Sequence, residues 1–449
     1  MRNLAEHDSS VSLQAHADLQ ARIASMSKDG LARLKVSVVS STFQPQRSYQ
    51  ENLWAEQLAD LGAAVTVFSA IELGITRQIT EEILTSPLGS SFLHKSVPTH
   101  VLPQNQFLSP LLADALVASE AELIVWFGCI MYFGGAIYSD SRLAKTPLIT
   151  IYSLSRRGRH PFRWYGRHLT LGDRLKGLLF QTVRAPILTQ TLRRADLTVA
   201  NTPECTDIIR QYVWGDERIK WARKHEEIPL GFCGHTFTYH SALRQSARAA
   251  LPLSEQDLVL VFSSRFEENK WPAIYSAFNA VERFFDALGY ADQARVHAIW
   301  VGAKDNDTTR KFNDLLLEPS RHRSQHHLMS FQTRQRLATI YHAADIALFA
   351  QPSISCQEAM GTGLYVLCPP DPSLNHLNEY SSRLRQAETS TWPEQLISLS
   401  RVLWREQEDK GLGVDPTEDS RQLAAMSALE LSYQQLVPRT LIALSQKLG

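Results

Sequence analysis

Apolar residues along the chain fall into two successive series in which short β-branched runs alternate with stretches of helical period. The run LKVSVVSS, starting at Leu34, reads as a strand, and QENLWAEQLADL (50–61) has its apolar residues at helical spacing until Gly62 closes it. AAVTVFSA then reads as a second strand, which leaves the loop TFQPQRSY at the carboxyl end of the first. AELIVWFG, TPLITIYS and ADLTVAN continue the series. After KHEEIPLGFCGHTF the alternation restarts. Strands are predicted in DLVLVFSS, RVHAIWVG, HHLMSF, DIALFA and LYVLCPP, with helices in PAIYSAFNAVERFFDAL, TTRKFNDLLLE, TRQRLATIYHAA and SCQEAMG between them.

Such alternation is that of doubly wound, mostly parallel sheets. The expected fold class is α/β, with two Rossmann-like domains over 34–235 and 236–423, joined near 228–237. A helical pattern from 424 to 449, interrupted at Pro438, ends the chain, and 1–33 read as an extension with one helix over 11–24. In a pair of such domains ligands are expected in a cleft facing the carboxyl ends of both sets of strands.

Composition adds limits. At 449 residues the chain exceeds the size at which one core keeps growing, about 250 to 300 residues, so two domains are expected. Lys plus Arg and Asp plus Glu both number 46, so no global field favours nucleic acid, and any cationic function has to be local. The five cysteines (129, 205, 233, 356 and 368) form no C-x-x-C pair, which points away from a disulfide framework or a zinc site. The amino-terminal residues lack the apolar stretch of a secretory peptide, and no run reaches the length of a bilayer span, so a cytoplasmic location is expected.

Four segments carry candidate chemistry. In VFSSRFEENKWP, Arg265 and Lys270 follow a strand end, where an Arg fork and a Lys point charge could neutralise a diphosphate. They could equally pair with Glu267 and Glu268 as a surface network worth about 0–1 kcal/mol. In SCQEAMGTG, Ser355 and Glu358 have the S-x-x-E spacing of a capping box, while a carboxylate at a helix start beside a strand end could also grip a nucleotide ribose. Asp305–Asn306–Asp307 has a D-x-D spacing, but helix capping by Asp307 is the expected role. The fifteen histidines show no metal-ligand spacing, and no metal is expected. The segment 156–176 gathers Arg156, Arg157, Arg159, Arg163, Arg167, Arg174 and Lys176 around Phe162, Trp164 and Tyr165. It reads as a solvated face or as an anion- or membrane-surface patch. Single-stranded RNA would also suit basic residues among aromatics, but no RNA-binding motif accompanies them.

Six pieces, in order, resemble the retaining glycosyltransferases of family 4, which have the GT-B fold. They are VVSSTFQPQRSYQENLWAEQLADLGAAVTVFSA, RADLTVANTPECTDII, IPLGFCGHTF, FSSRFEENKW, LATIYHAADIALF and SISCQEAMGTGLYVL, spanning roughly 34 to 370. The resemblance implies a metal-independent transfer of a sugar from a UDP- or GDP-linked donor to a hydroxyl of a glycan, lipid-linked or small-molecule acceptor. It implies that Arg265 and Lys270 hold the diphosphate, with Ser264 and Gly302 beside them. The backbone N–H groups of Ser355, Cys356 and Gln357 would meet the same phosphates, and Glu358, the second Glu of the family's Glu-x7-Glu motif, would take the ribose. On the acceptor side it implies Gln44, Arg47, Ser48, Tyr49, Tyr152, Ser153 and His160, with Gln50 a further polar candidate.

The chain departs from that pattern at informative places. Ala350 stands where the first motif Glu would be, Ser48–Tyr49 replace a Gly-Gly pair, and Ser264 replaces the Gly before the donor-loop Arg. The last helix is expected to return to the first domain, and peripheral contact with the inner membrane face would run through 156–176. Two rivals follow: a non-catalytic scaffold that binds a nucleotide or a partner, and a sugar epimerase, which would need paired carboxylates that the sequence does not clearly offer.

Overall fold

The computed structural model describes residues 17–24, 31, 33–45, 49–102, 106–128, 132–154, 185–213, 215–351, 353–410 and 416–448. The chain divides into two compact units. One comprises Met1–Pro45, Tyr49–Leu230 and Tyr433–Gly449, the other Gly231–Ser432 with Gln46–Ser48.

In the first unit the strands are β1 (Lys35–Val39), β2 (Ala64–Glu72), β3 (Thr80–Thr85), β4 (Ser91–Leu102), β5 (Gln106–Leu108), β6 (Leu123–Phe127), β7 (Leu148–Tyr152), β8 (Leu197–Ala200) and β9 (His225–Glu227). They lie in the order β3-β4-β2-β1-β6-β7-β8-β9, with β5 on β4. All neighbours are parallel except β3 and β5, which run antiparallel to β4. The hairpin of β3 and β4 was absent from the expected pattern. β3 is an edge strand exposed along nearly its whole length, so no apolar alternation marks it. β4 contains Pro98, and the pair turns through Gly89 at φ +90°.

Helix α1 (Gln50–Asp60) follows β1 and is buried over most of its length. The final helix (Tyr433–Leu448) belongs to this unit, where Tyr433 meets Trp54 of α1 edge-on at 6.5 Å. The expected break at Pro438 does not occur. The helix runs through Pro438, and burial of Leu436, Val437, Leu441 and Leu444 offsets the hydrogen bond that proline removes. The interruption lies earlier, at extended Ser432, and the preceding helix (Pro416–Ala428) stays with the second unit. The amino-terminal helix occupies 17–24; the rest of the segment expected to be helical, 11–16, lies outside the described residues.

The second unit contains β10 (Leu258–Ser263), β11 (Val296–Ala303), β12 (His326–Ser330), β13 (Ile346–Leu348), β14 (Tyr365–Cys368) and β15 (Leu384–Gln386). They are all parallel, in the order β12-β11-β10-β13-β14-β15. Its helices include α2 (Trp271–Asp286), α3 (Arg334–Ala343) and α4 (Ile354–Gly361). The buried residues of α2, Ile274, Ala277, Phe278, Val281, Phe284 and Phe285, recur at helical spacing and pack into a core with Phe262, Trp300 and Phe312. Burying each large side chain contributes about 1.5–3 kcal/mol.

Both sheets have the strand order of doubly wound folds, which reverses direction between β1 and β6 in one unit and between β10 and β13 in the other. Acidic residues just before strands clamp this arrangement. Glu122, Asp196 and Asp345 accept the backbone N–H groups of Lys35 (3.0 Å), Leu148 (2.9 Å) and Val259 (2.8 Å), each on the neighbouring strand. The A-E and A-D dipeptides of the sequence therefore act as strand-start locks. Among the described residues no helix is long and apolar enough to cross a membrane.

Candidate functional site

The crevice beyond the carboxyl ends of β10 and β13 is the switch point of the second sheet, the place where open α/β sheets bind ligands. The loop leaving β10 is held from below. Phe266 is fully buried and meets Phe312 edge-on at 5.1 Å, while its N–H donates to the Gly302 carbonyl at 3.2 Å and its own carbonyl accepts from Asn306 Nδ2 at 2.6 Å. With Phe266 pinned inward, the preceding Arg265 faces out, exposed.

Gly302 serves this loop from beneath. Its φ is +116°, and a Cβ there would stand 1.9 Å from the Ser264 carbonyl oxygen. Ser264 in turn donates its N–H to the Val301 carbonyl at 3.1 Å. Gly302→Ala is therefore expected to cost roughly 2–4 kcal/mol, because strained backbone and a backbone clash add. A urea midpoint within error of the parent chain would refute this placement.

The two candidate cations find different partners. Arg265 Nη1 lies 3.4 Å from Glu267 Oε1, a loose, half-exposed contact shared with Lys304 at 3.5 Å. Glu268 is taken by Lys311 at 3.0 Å. Lys270 makes no ion pair among the described residues; its Nζ donates instead to Gln351 Oε1, on the loop that leaves β13. Burial lowers the Lys270 pKa, Arg265 lowers it further, and Glu267 opposes both. The surface network expected between Arg265, Lys270 and the two glutamates thus forms only around Arg265. Lys270 remains a half-buried cation beside another cation, an arrangement that favours an anion.

Helix α4 begins next to Gln351. The capping box expected between Ser355 and Glu358 is not there. The N-cap is Ser353, without a side-chain capping bond, and Ile354 opens the helix, so Glu358 lies in the second turn. Glu358 is 1% exposed, and the hydroxyl of wholly buried Tyr341 lies in its field, beside Ser263 and Ser355. Burial raises the Tyr341 phenol well above its usual value, and Glu358 raises it further. Of the three amides expected to face phosphate, that of Cys356 is already used, donating to the Ser353 carbonyl at 3.1 Å. The Cys356 thiol is buried and pushed up to about 12, which makes it a small apolar filler rather than a nucleophile. Gln357 is buried as well.

In the first unit a polar cluster stands at the strand ends, and sequence reasoning found only part of it. Gln50 at the start of α1 donates to Ser153 Oγ (3.0 Å) just past β7, and Asn201 just past β8 donates to Gln50 Oε1 (2.8 Å) and Ser153 Oγ (2.5 Å). Asn201 is buried and Ser153 exposed. The N in ADLTVAN was the available signal. Glu51, the next residue of α1, is buried with its oxygen 3.4 Å from Ser40 Oγ, and burial raises its pKa.

Tyr152, expected on the acceptor side, belongs to the core instead: every residue of β7 is buried, because the strand is covered on both faces. Tyr49 is partly exposed as the N-cap of α1, and Gln44 is exposed with its carbonyl accepting from Asn52 Nδ2 at 2.8 Å. Arg47, Ser48, His160 and the basic segment 156–176 lie outside the described residues.

The D-x-D segment resolves differently from expectation. Asn306, not Asp307, caps its helix, accepting from the Thr309 N–H at 2.9 Å. Asp305 and Asp307 both pair with Arg310, at 3.1 and 2.5 Å.

No family model matches the chain, and no curated protein matches it either. Solved structures do. Sucrose-phosphate synthase from Thermosynechococcus elongatus superposes with a TM-score of 0.61 at 15% identity, over 93% of this chain and 99% of that one. Anabaena HepE in complex with UDP and glucose gives 0.57 at 13% identity, over 91% and 100%. A putative UDP-N-acetylglucosamine 2-epimerase from Listeria monocytogenes gives 0.50 at 10% identity, over 92% and 95%. At these identities the likeness is one of fold. With two doubly wound parallel-sheet units in one chain, the fold is that of the GT-B glycosyltransferases.

Proposed function

We propose that the chain is a glycosyltransferase whose second unit binds a nucleoside diphosphate sugar and whose first unit takes the acceptor. The observation that carries this reading is Lys270, a half-buried cation beside Arg265 with a neutral amide as its partner, at the switch point of a parallel sheet. A diphosphate supplies the counter-charge that Lys270 does not find among the described residues, each charge-assisted bond contributing about 1.5–3 kcal/mol. The chemistry proposed is retaining transfer of the family 4 type. The acceptor hydroxyl attacks on the leaving-group side, the bond from the sugar carbon to the phosphate oxygen breaks, and the departing diphosphate takes the hydroxyl proton. Arg265 and Lys270 stabilise the charge that grows on it, and no step needs a metal. Glu358 is buried beneath the start of α4, so its part in this scheme is to orient that start through its surroundings, Tyr341 and Ser355, rather than to meet solvent-borne ligand.

The uncharged Gln50–Ser153–Asn201 cluster supports a hydroxyl-bearing acceptor. The acceptor is a glycan, a lipid-linked sugar or a small molecule, and peripheral membrane contact through 156–176 on the cytoplasmic side belongs to the same proposal. A UDP-linked donor is the first to test and a GDP-linked one the second. Thermal stabilisation by the nucleoside diphosphate, together with slow donor hydrolysis or transfer, is the expected result. Ala350, in place of the motif acid, favours one competing reading, a non-catalytic nucleotide-binding protein. Stabilisation without hydrolysis or transfer would establish that reading. Epimerisation of the donor, or indifference to every nucleotide, would overturn the proposal.

A further inference from the structure

Asn306, the middle residue of the D-x-D segment, is half-buried where the loop leaving β11 meets the loop leaving β10. Its carboxamide works in two directions. Oδ1 accepts the Thr309 N–H at 2.9 Å and caps the helix that starts at Asp307, while Nδ2 donates to the Phe266 carbonyl at 2.6 Å. One partner only donates and the other only accepts, so the amide has a single orientation. Three hydrogen bonds tie the main chain on either side of Arg265 to the end of β11 and the loop after it. Ser264 N–H donates to the Val301 carbonyl (3.1 Å), Phe266 N–H to that of Gly302 (3.2 Å), and Asn306 to that of Phe266. The first two join backbone to backbone, so only the third can be removed by changing a side chain. Among the described residues the Arg265 guanidinium pairs with Glu267 alone, at 3.4 Å and half-exposed. Its aim is therefore set by its main chain rather than by its own contacts.

Resting on the transferase reading, we infer that Asn306 is a positioning residue for Arg265: its amide fixes the peptide that aims the guanidinium at the diphosphate, without itself touching the ligand. A guanidinium held in place before the ligand arrives loses less freedom on binding, which raises affinity. The residue type fits this double task. Among the side chains that cap helices well, an ionised Asp has acceptors only, and the hydroxyl of Ser sits one bond closer to the backbone. Asn caps with its oxygen and still extends an N–H to the neighbouring loop. If Asn306 served its own helix alone, replacing it would act on the ligand, if at all, to the same extent with or without Arg265.

The test is a double-mutant cycle of Asn306→Ser and Arg265→Ala in the full chain, read as the calorimetric affinity for UDP and for GDP. Asn306→Ser keeps a capping oxygen and removes the amide. For whichever diphosphate the parent binds, Asn306→Ser is expected to weaken binding about fivefold. Arg265→Ala is expected to weaken it about tenfold or more. Adding Asn306→Ser to Arg265→Ala is expected to change affinity by less than about twofold, because the side chain it aims is gone. Asn306→Asp, which caps but carries no N–H, is expected to show the same coupling and replaces the Ser variant should that one fold poorly. Equal losses in both backgrounds, or parental affinity in Asn306→Ser and Asn306→Asp, overturn the inference and leave the transferase reading intact. Parental affinity in Arg265→Ala does the same. Failure of both diphosphates to bind the parent overturns the transferase reading and this inference together.

Discussion

Lys270→Ala is expected to lower turnover by about 10²–10³-fold, the usual effect of removing one preorganised partner of charge that develops in a transition state. Folded stability should change by less than about 1 kcal/mol. The two halves have one cause. In the free protein the Lys270 ammonium is held against burial and beside Arg265, with the Gln351 amide as its hydrogen-bond partner among the described residues and Glu267 offsetting part of the cost, so deleting it removes no strong native contact. In the reacting complex the same charge meets a leaving diphosphate, whose negative charge is greatest as the glycosidic bond breaks. Steady-state turnover and a urea titration on the same preparation separate the effects. Near-parental turnover would remove Lys270 from the donor site, and a collapse of stability would make it a structural residue.

Asp345→Ala is the largest expected loss of stability, about 3–5 kcal/mol, because it leaves buried guanidinium groups without their counter-charge. Asp345 lies 2.6 Å from Arg244 and 2.8 Å from Arg248, and Arg421 stands at 3.9 Å. Arg421 also donates to the carbonyls of Thr362 (3.0 Å) and Ala344 (2.9 Å), and Arg244 to that of Ala344 (2.9 Å). The cluster thereby satisfies the carbonyl end of α3, where a helix favours cations.

Burial alone would raise the Asp345 carboxyl, but Arg244, Arg248, Arg421 and the Val259 N–H outweigh it and hold it at about 2. Its folded pKa is thus below the ordinary carboxylate value of about 3.9. The stabilisation is complete above that value and fades as pH falls from about 4 through about 2, amounting to roughly 2 kcal/mol. Chemical denaturation between pH 5 and 2 checks the sign: the parent chain should lose stability more steeply than Asp345→Ala. Parallel curves would mean that Asp345 does not titrate in that window.

How much of the molecule was legible in its sequence depended on the distance over which each feature is decided. The β/α alternation could be read because it is local: burial of both sheet faces makes β6, β7 and β10 continuous apolar runs, and the stripe of α2 repeats at helical spacing. Placing Arg265 and Lys270 at a strand end needed only that alternation. The edge strands β3 and β15 escaped, since edge strands half in water carry little period. The cap of α4 was misplaced by two residues because Ser353 and Ser355 are both chemically able to cap the start of a helix, and packing chose between them.

By itself the chain's order of apolar and polar residues determined two parallel doubly wound sheets and a cationic loop at a strand end, since burial period and strand-end position are properties of neighbours in sequence. Tertiary structure alone decided which groups that loop would meet. Lys270 finds Gln351 across 81 residues rather than a nearby glutamate, Asp345 gathers arginines from 97 and 101 residues before it, and Tyr152 disappears into the core. Charge pairing and burial act through space at a few ångströms, and separation along the chain carries almost none of that information.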